Sequence, residues 1–142
     1  MPRPPYKFTA STRVGFSDTD AQGVVYYGRY MPYFDLARVE YHRSLDMLLS
    51  GPREREFVMR AMQVEYHEPA RFDDRIEVDV RISRIGTSSV RYEFAAYLGG
   101  ETLAVTASQT AVLIDLAGRK PSRVPDWWRE RIRAFEGDDL EE

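Results

Sequence analysis

Apolar and polar residues alternate most cleanly between Arg75 and Ile82. Ile76, Val78, Val80 and Ile82 fall on one side and Arg75, Glu77, Asp79 and Arg81 on the other. A period of two marks a strand with one buried face. The same alternation runs through Val90, Tyr92, Phe94, Ala96 and Leu98, and Thr102 to Ile114 predicts a longer strand. Phe57 to Pro69 alternates more loosely, and Thr12 to Phe16 predicts a short strand. Turn formers separate these runs at Ala70 to Asp74, at Ile85-Gly86-Thr87 and at Gly99-Gly100, a two-residue hairpin signal. The period changes at Tyr30. Tyr30, Tyr33, Phe34, Ala37, Tyr41, Ser44, Leu45 and Leu48 form one helical stripe of about five turns. Pro32 belongs in its first turn, where a missing N–H costs nothing, and Ser50-Gly51-Pro52 supplies a stop. A shorter helix is predicted from about Asp126, its N-cap, carrying Trp127, Trp128 and Ile132.

The order is strand, long helix, four antiparallel strands, short helix. That order argues for the α+β class with an antiparallel sheet. One long helix covers one face of such a sheet. On the last strand Ala104, Thr106, Ser108 and Thr110 form a small, mildly polar stripe, which predicts that the other face meets another chain.

With 142 residues and no internal repeat, the chain predicts a single domain over 1–142. The Pro-rich residues 1–10 and the acidic residues 136–142 are expected to be flexible. No apolar run reaches the length of a membrane span, and no apolar stretch follows the basic M-P-R-P-P-Y-K start, so a cytoplasmic protein is expected. The absence of cysteine excludes disulfides and thiolate nucleophiles. A net charge of −3 does not recruit nucleic acid. All basic residues but Lys7 and Lys120 are arginine, whose planar fork suits phosphate.

The chemistry concentrates between Phe16 and Tyr33, F-S-D-T-D-A-Q-G-V-V-Y-Y-G-R-Y-M-P-Y. Asp18 and Asp20 lie in a loop, and Gly23, Val24 and Val25 lead to tyrosines that open the helix. Unpaired N–H groups at a helix start hold carboxylates and polarise carbonyls. Asp20 there fits a working carboxylate, and it equally fits a cap or Asx turn. A calcium loop begins with the same D-T-D-A-Q-G pattern but needs a bidentate Glu where this chain has Arg29. No metal site is expected.

Over residues 12–45 the segment V-G-F-S-D-T-D-A-Q-G-V-V-Y-Y-G-R-Y-M-P-Y-F-D-L-A-R-V-E resembles hotdog-fold acyl-CoA thioesterases of the 4-hydroxybenzoyl-CoA thioesterase type. Ser88-Ser89, the Gly99-Gly100 hairpin and the Asp115…Gly118-Arg119…Pro125 exit extend the likeness. The resemblance implies an antiparallel five-stranded sheet wrapped around one long central helix. It implies subunits whose sheets join into one, as a homodimer or a dimer of dimers, with the active site at the subunit interface and no cofactor. It gives Asp20 the role of nucleophile or general base, and the Tyr27 backbone N–H that of polarising the thioester carbonyl. Phe16, Gly23, Val24, Tyr26, Tyr30, Ser88, Ser89 and Arg91 become the substrate-binding set. Some relatives carry a histidine at the Tyr27 position and a tyrosine at the Phe16 position; this chain has neither, which brings it nearer to members with aromatic acyl pockets.

The function expected is hydrolysis of an acyl-CoA. Arg84, Arg91, Arg119, Lys120 and Arg123 are candidate contacts for the CoA phosphates, and Ser88 and Ser89 for its pantetheine arm. Asp18 is expected to be structural. His42 and His67 match no site of the family and are expected on the surface or in structural roles. The other reading is a non-catalytic module that binds acyl-CoA or acyl-carrier protein.

Overall fold

In a computed structural model, residues 2–48 and 53–142 are described. The strands are β1 (Phe8–Arg13), β2 (Arg55–Tyr66), β3 (Arg75–Ile85), β4 (Ser89–Leu98), β5 (Thr102–Asp115) and the short β6 (Lys120–Pro121). The helices are α1 (Tyr30–Ser44) and α2 (Asp126–Glu136). All strands join one antiparallel sheet in the order β1-β3-β4-β5-β2, with β6 added beside β5. The sheet has the five strands expected, with the first at other bounds, and β6 makes a sixth.

Strand order explains where α1 must lie. The chain leaves the sheet at one edge, β1, and returns at the other, β2. The segment between them, α1, therefore crosses a face. Alternation chooses that face. Val78 pairs with Ala96 and Val80 with Phe94, and Phe94 pairs with Ala107, so one apolar layer runs across three strands. Phe34, Ala37 and Tyr41 of α1 lie fully buried on it, and the Phe34 and Phe94 rings are 4.9 Å apart. Burying such side chains contributes about 1.5–3 kcal/mol each, which outweighs any intrinsic helix preference of this tyrosine-rich segment.

Several boundaries differ from the sequence reading. The first strand is Phe8–Arg13, set by pairing from Phe8↔Val80 to Arg13↔Arg75, and Phe16–Asp18 is a 3₁₀ turn. Helix α1 stops at Ser44, a turn or more early. Asp46 takes a left-handed conformation (φ 56°), and the N–H groups of Leu45 and Met47 both donate to the His42 carbonyl. That fold-back turns Met47 into the core and leaves Leu48 exposed. The Ser50-Gly51-Pro52 stop lies outside the described residues. Pro125 is the N-cap of α2, with Asp126 its first residue.

Described residues near both ends of the chain make tertiary contacts. Arg3 lies over the Tyr97 ring at 3.5 Å and pairs with Asp79, which Thr9 also contacts. Asp79 is consequently buried although it stands on the polar face of β3. At the other end Glu136 is fully buried. It accepts hydrogen bonds from the Tyr41 hydroxyl (2.5 Å) and the Ile82 N–H (3.0 Å), while burial raises its carboxyl above the usual range. Lys7 donates to the Glu136 carbonyl and to Asp139, both at 2.8 Å, and Arg133 grips Glu142 with two bonds. Backbone bonds from Glu141 to Ser83 and from Ile85 to Glu141 attach the acidic end to β3.

Glu136 satisfies two buried donors at once, and leaving a buried donor unpaired costs about 1–3 kcal/mol. Glu136→Ala is therefore expected to lower stability by at least about 2 kcal/mol. The check is the urea midpoint, which should fall with an unchanged slope. An unmoved midpoint would contradict the anchoring role.

Candidate active site

Asp18 and Asp20 are separated by one residue but face different tasks. The chain from Gly15 to Val25 is a compact double turn. Thr19 pairs with Val25 across it, the Asp20 N–H donates to the Val24 carbonyl, and the Gly23 N–H donates to the Asp20 carbonyl. Gly23 has φ 80°, a conformation that a side chain strains, so the turn requires its glycine. Val24 pairs with Arg71, and the Val25 N–H donates to the Ala70 carbonyl, which fastens this turn to the β2–β3 connection.

The Asp18 carboxylate holds the assembly together. It accepts from the Tyr33 hydroxyl (2.7 Å) and the Gly15 N–H (3.0 Å), and it pairs with Arg29 at 3.4 Å. Its carbonyl accepts the Tyr26 N–H at 2.9 Å. Burial and then the Asp18 bond raise the Tyr33 phenol, so it stays a donor. Asp18 is structural, as the sequence reading had it.

Asp20 is half-buried. Its Oδ1 accepts the Gln22 N–H at 2.8 Å in an Asx turn, so cap-like geometry and an acid beside the helix start coexist in one residue. Its charge reaches the Tyr26 phenol, which is raised first by a hydrogen bond with Tyr27. Tyr27 opens the 3₁₀ turn Tyr27–Arg29 that runs directly into α1. The first N–H groups of such a helix have no intrahelical partner.

Exposed aromatic side chains stand on the segments that adjoin this acid. Phe16 is 78 % exposed and meets Phe72 edge-on at 5.9 Å; the Tyr26 and Tyr27 rings lie 4.4 Å apart. The Tyr66 hydroxyl donates to the Tyr27 carbonyl at 3.0 Å. Large apolar groups this open mark a surface meant to be covered. Phe72 and Tyr66 are not singled out by the sequence; the Val24–Arg71 pairing and the bonds of Val14 and Val25 to residues 70–74 bring the Phe72 turn here.

The remaining members of the expected set are placed elsewhere. Tyr30 is buried between Tyr33 and Tyr66, and its hydroxyl accepts the Ala70 N–H at 3.3 Å, so it packs the core behind the loop. Ser88 and Ser89 stand at the start of β4, beside Val112 and Leu113. That end of the sheet also holds Arg119, Lys120 and Arg123, whereas Tyr66 pairs with Val105 at the opposite end. Within one chain, then, the serines do not reach Asp20. Arg91 is exposed on the outer face, away from α1, so the structure does not bring it to this cluster. His67 is on the surface and meets Thr106 at 3.1 Å.

His42 is not on the surface. Its Nε2 lies 2.7 Å from the Tyr92 hydroxyl, and burial, with the nearby Arg38 charge, pushes its imidazole down to about 4. Arg38 donates to Gln109 and Asp35, each at 2.8 Å. The available signal was parity: Arg38 and His42 share a helix face, while Tyr92 and Gln109 point to the inner side of their strands.

The sequence model of the thioesterase-like superfamily matches residues 14–132. The chain belongs to the thioesterase-like superfamily. Its antiparallel curled sheet with packed helices is the hotdog fold of that superfamily. Among relatives, the acyl-CoA thioester hydrolase YbgC of Escherichia coli is 34 % identical over 121 residues, covering 83 % of this chain and 90 % of the relative. Among solved structures, a thioesterase from Thermus thermophilus complexed with coenzyme A and Zn aligns at a TM-score of 0.76 and 34 % identity. That alignment covers 89 % of this chain and 94 % of the other. A probable thioesterase from Bartonella henselae aligns at 0.73 and 34 % identity, covering 83 % and 98 %.

For this superfamily member the Tyr33–Asp18 bond should be a measurable anchor. A bond to a charged acceptor is worth about 1.5–3 kcal/mol. Tyr33→Phe is expected to lose that amount in urea denaturation, and a loss below about 0.5 kcal/mol would show that the carboxylate is held without it.

Proposed function

We propose that the protein hydrolyses an acyl-CoA thioester to the free acid and CoA, with Asp20 as the working carboxylate and the Tyr27 N–H as the carbonyl donor. One observation carries the reading: in a chain of the thioesterase-like superfamily, a half-buried acid sits in a turn tied to the first turn of α1. Asp20 either attacks the carbonyl carbon or takes a proton from an attacking water. In both routes charge builds on the carbonyl oxygen as the C–S bond weakens, and a fixed N–H there is worth about 2.7–4 kcal/mol of barrier. CoA leaves as the thiolate; in the water route it takes the proton that Asp20 removed, and in the direct route water then cleaves the Asp20–acyl anhydride, which frees the acid and Asp20 and supplies the proton for the thiolate. Gly23 and Val24 shape the turn beside the acid, and Phe16, Tyr26, Tyr27 and Phe72 cover the reacting carbonyl against water.

The site is shared between subunits in this reading. Among the described residues, strand β2 has a neighbour on one side only. Its open edge carries Phe57, Val58, Met59, Met62 and Val64 and no proline, and an uncovered edge of that kind pairs with another chain. A second copy of β2 completes the sheet as a homodimer. The small stripe Ala104, Thr106, Ser108 and Thr110 allows two dimers to meet back to back. Pairing through β2 also supplies what a single chain lacks, because it sets one copy's Ser88–Ser89 and Arg119–Arg123 end beside the other copy's Asp20 end. Those groups then hold the pantetheine arm and the phosphates of CoA.

Thiol release from a panel of acyl-CoA substrates tests the reading. Asp20→Asn is expected to lower turnover by at least about 100-fold with an unchanged urea midpoint, the scale of a lost acid–base group. Full activity in that variant would remove the mechanism. No thiol release by the wild type would favour a module that only binds acyl-CoA.

A further inference from the structure

A cavity of about 340 Å³ opens between the second half of α1, the inner face of the sheet and α2. Its apolar walls include Phe57, Trp128, Leu113 and Met47, with the Phe57 and Trp128 rings 5.3 Å apart. Arg38, His42, Arg53, Arg55, Glu56 and Tyr92 also line it, and three of these are connected. The Tyr92 hydroxyl and His42 Nε2 are 2.7 Å apart, and Arg38 lies over the Tyr92 ring and is held by Gln109 and Asp35. A binding pocket is usually such a hollow, mostly apolar with a small number of fixed polar groups.

This cavity does not serve the Asp20 of its own chain. Tyr27 and His42 are separated by fifteen helical residues, about 22 Å of rise. The β2 edge provides a shorter route. An antiparallel pair of β2 strands related by a two-fold axis near Arg60 and Ala61 sets each Tyr66 opposite the partner subunit's Arg55 to Phe57. Adjacent strands are about 4.8 Å apart, and a two-fold perpendicular to the sheet keeps both inner faces on one side. Tyr66 bonds the Tyr27 carbonyl, and Arg55 and Phe57 line the cavity. The mouth of one chain's cavity therefore meets the helix start of the other.

We propose that the His42–Tyr92 pair, with Arg38 behind it, is the specificity-determining end of the acyl pocket, serves the Asp20 of the partner subunit, and selects acyl groups that carry a hydroxyl or carbonyl oxygen at their far end. The proposal rests on the thioesterase reading above. Its chemistry follows from the pair. When Nε2 accepts from the Tyr92 hydroxyl, the phenol oxygen keeps a lone pair for a substrate O–H. When Nε2–H donates, the Tyr92 hydrogen is free for a substrate carbonyl. A plain alkyl end satisfies neither, and it strips the pair of its water without return.

The test uses two CoA thioesters of equal length, one ending in a methyl group and one in a hydroxyl or oxo group. Wild type is expected to favour the oxygen-bearing substrate. His42→Leu and Tyr92→Phe, the second removing a single oxygen, are each expected to lower its kcat/KM by about tenfold or more while changing the methyl-ended one by less than about threefold. Equal effects on both substrates, or no preference in wild type, would overturn the proposal while an inactive Asp20→Asn left the thioesterase reading standing. An active Asp20→Asn would overturn that reading instead. Co-expression tests the exchange between subunits. Asp20→Asn and the cavity-filling His42→Trp are each expected to be inactive alone and to regain activity as mixed dimers, where one intact acid meets one intact cavity. Mixed dimers without activity, or an active His42→Trp homodimer, would overturn the arrangement.

Discussion

The Asp18 carboxylate is the constraint on which the rest of the site depends. It draws on three donors, Tyr33 from the helix, Gly15 from the end of the first strand's connection and Arg29 from the turn that opens α1. A loop rich in turn formers would otherwise sample many conformations, at a cost of about 1–2 kcal/mol per residue to fix. By joining loop and helix through one half-buried carboxylate, the chain sets where Asp20 stands relative to the first N–H groups of α1. Asp20, the acid proposed to do the chemistry, accepts one bond, from the Gln22 N–H, while its neighbour supplies the anchoring.

The same division of labour appears in the sheet. The apolar layer under α1 is continuous from β3 through β5, while β2, which mixes apolar residues with Arg55, Glu56, Arg60 and Glu65, stands at the sheet edge. Packing at the ends of the chain closes the other exposed positions: Arg3 covers Asp79, and the last residues run along β3. What stays open is therefore selective. It consists of the β2 edge, the aromatic side chains near Asp20 and the cavity at the far end of α1, and the proposed pairing of two β2 edges would connect all three.

Much of this was legible in the residues. Strict alternation located β3 and β4, Gly99-Gly100 located their hairpin to β5, and the spacing of Tyr33, Phe34, Ala37 and Tyr41 located the buried stripe of α1. The end of α1 was not legible, because Leu45 and Leu48 continue the stripe while Asp46 breaks the backbone. Asp79 and Glu136 read as surface charges, since a strand pattern says nothing of distant segments that fold over it. The site divides in the same way. Asp18, Asp20, Gly23 and Tyr27 are contiguous and could be read together. Tyr66 and Phe72 near Asp20, and His42 with Tyr92 at the far end of α1, come from separate elements, and only the tertiary fold brings each to its partner.

The central claim is geometric: the thioester carbonyl sits on the main-chain donor at the head of α1, facing Asp20. A crystal structure of the Asp20→Asn protein with an intact acyl-CoA tests it most directly. The predicted result is a carbonyl oxygen about 2.7–3.1 Å from the Tyr27 nitrogen, with the carbonyl carbon turned toward residue 20. A thioester bound with its carbonyl away from Tyr27, or in a cleft that residue 20 does not face, would contradict the account.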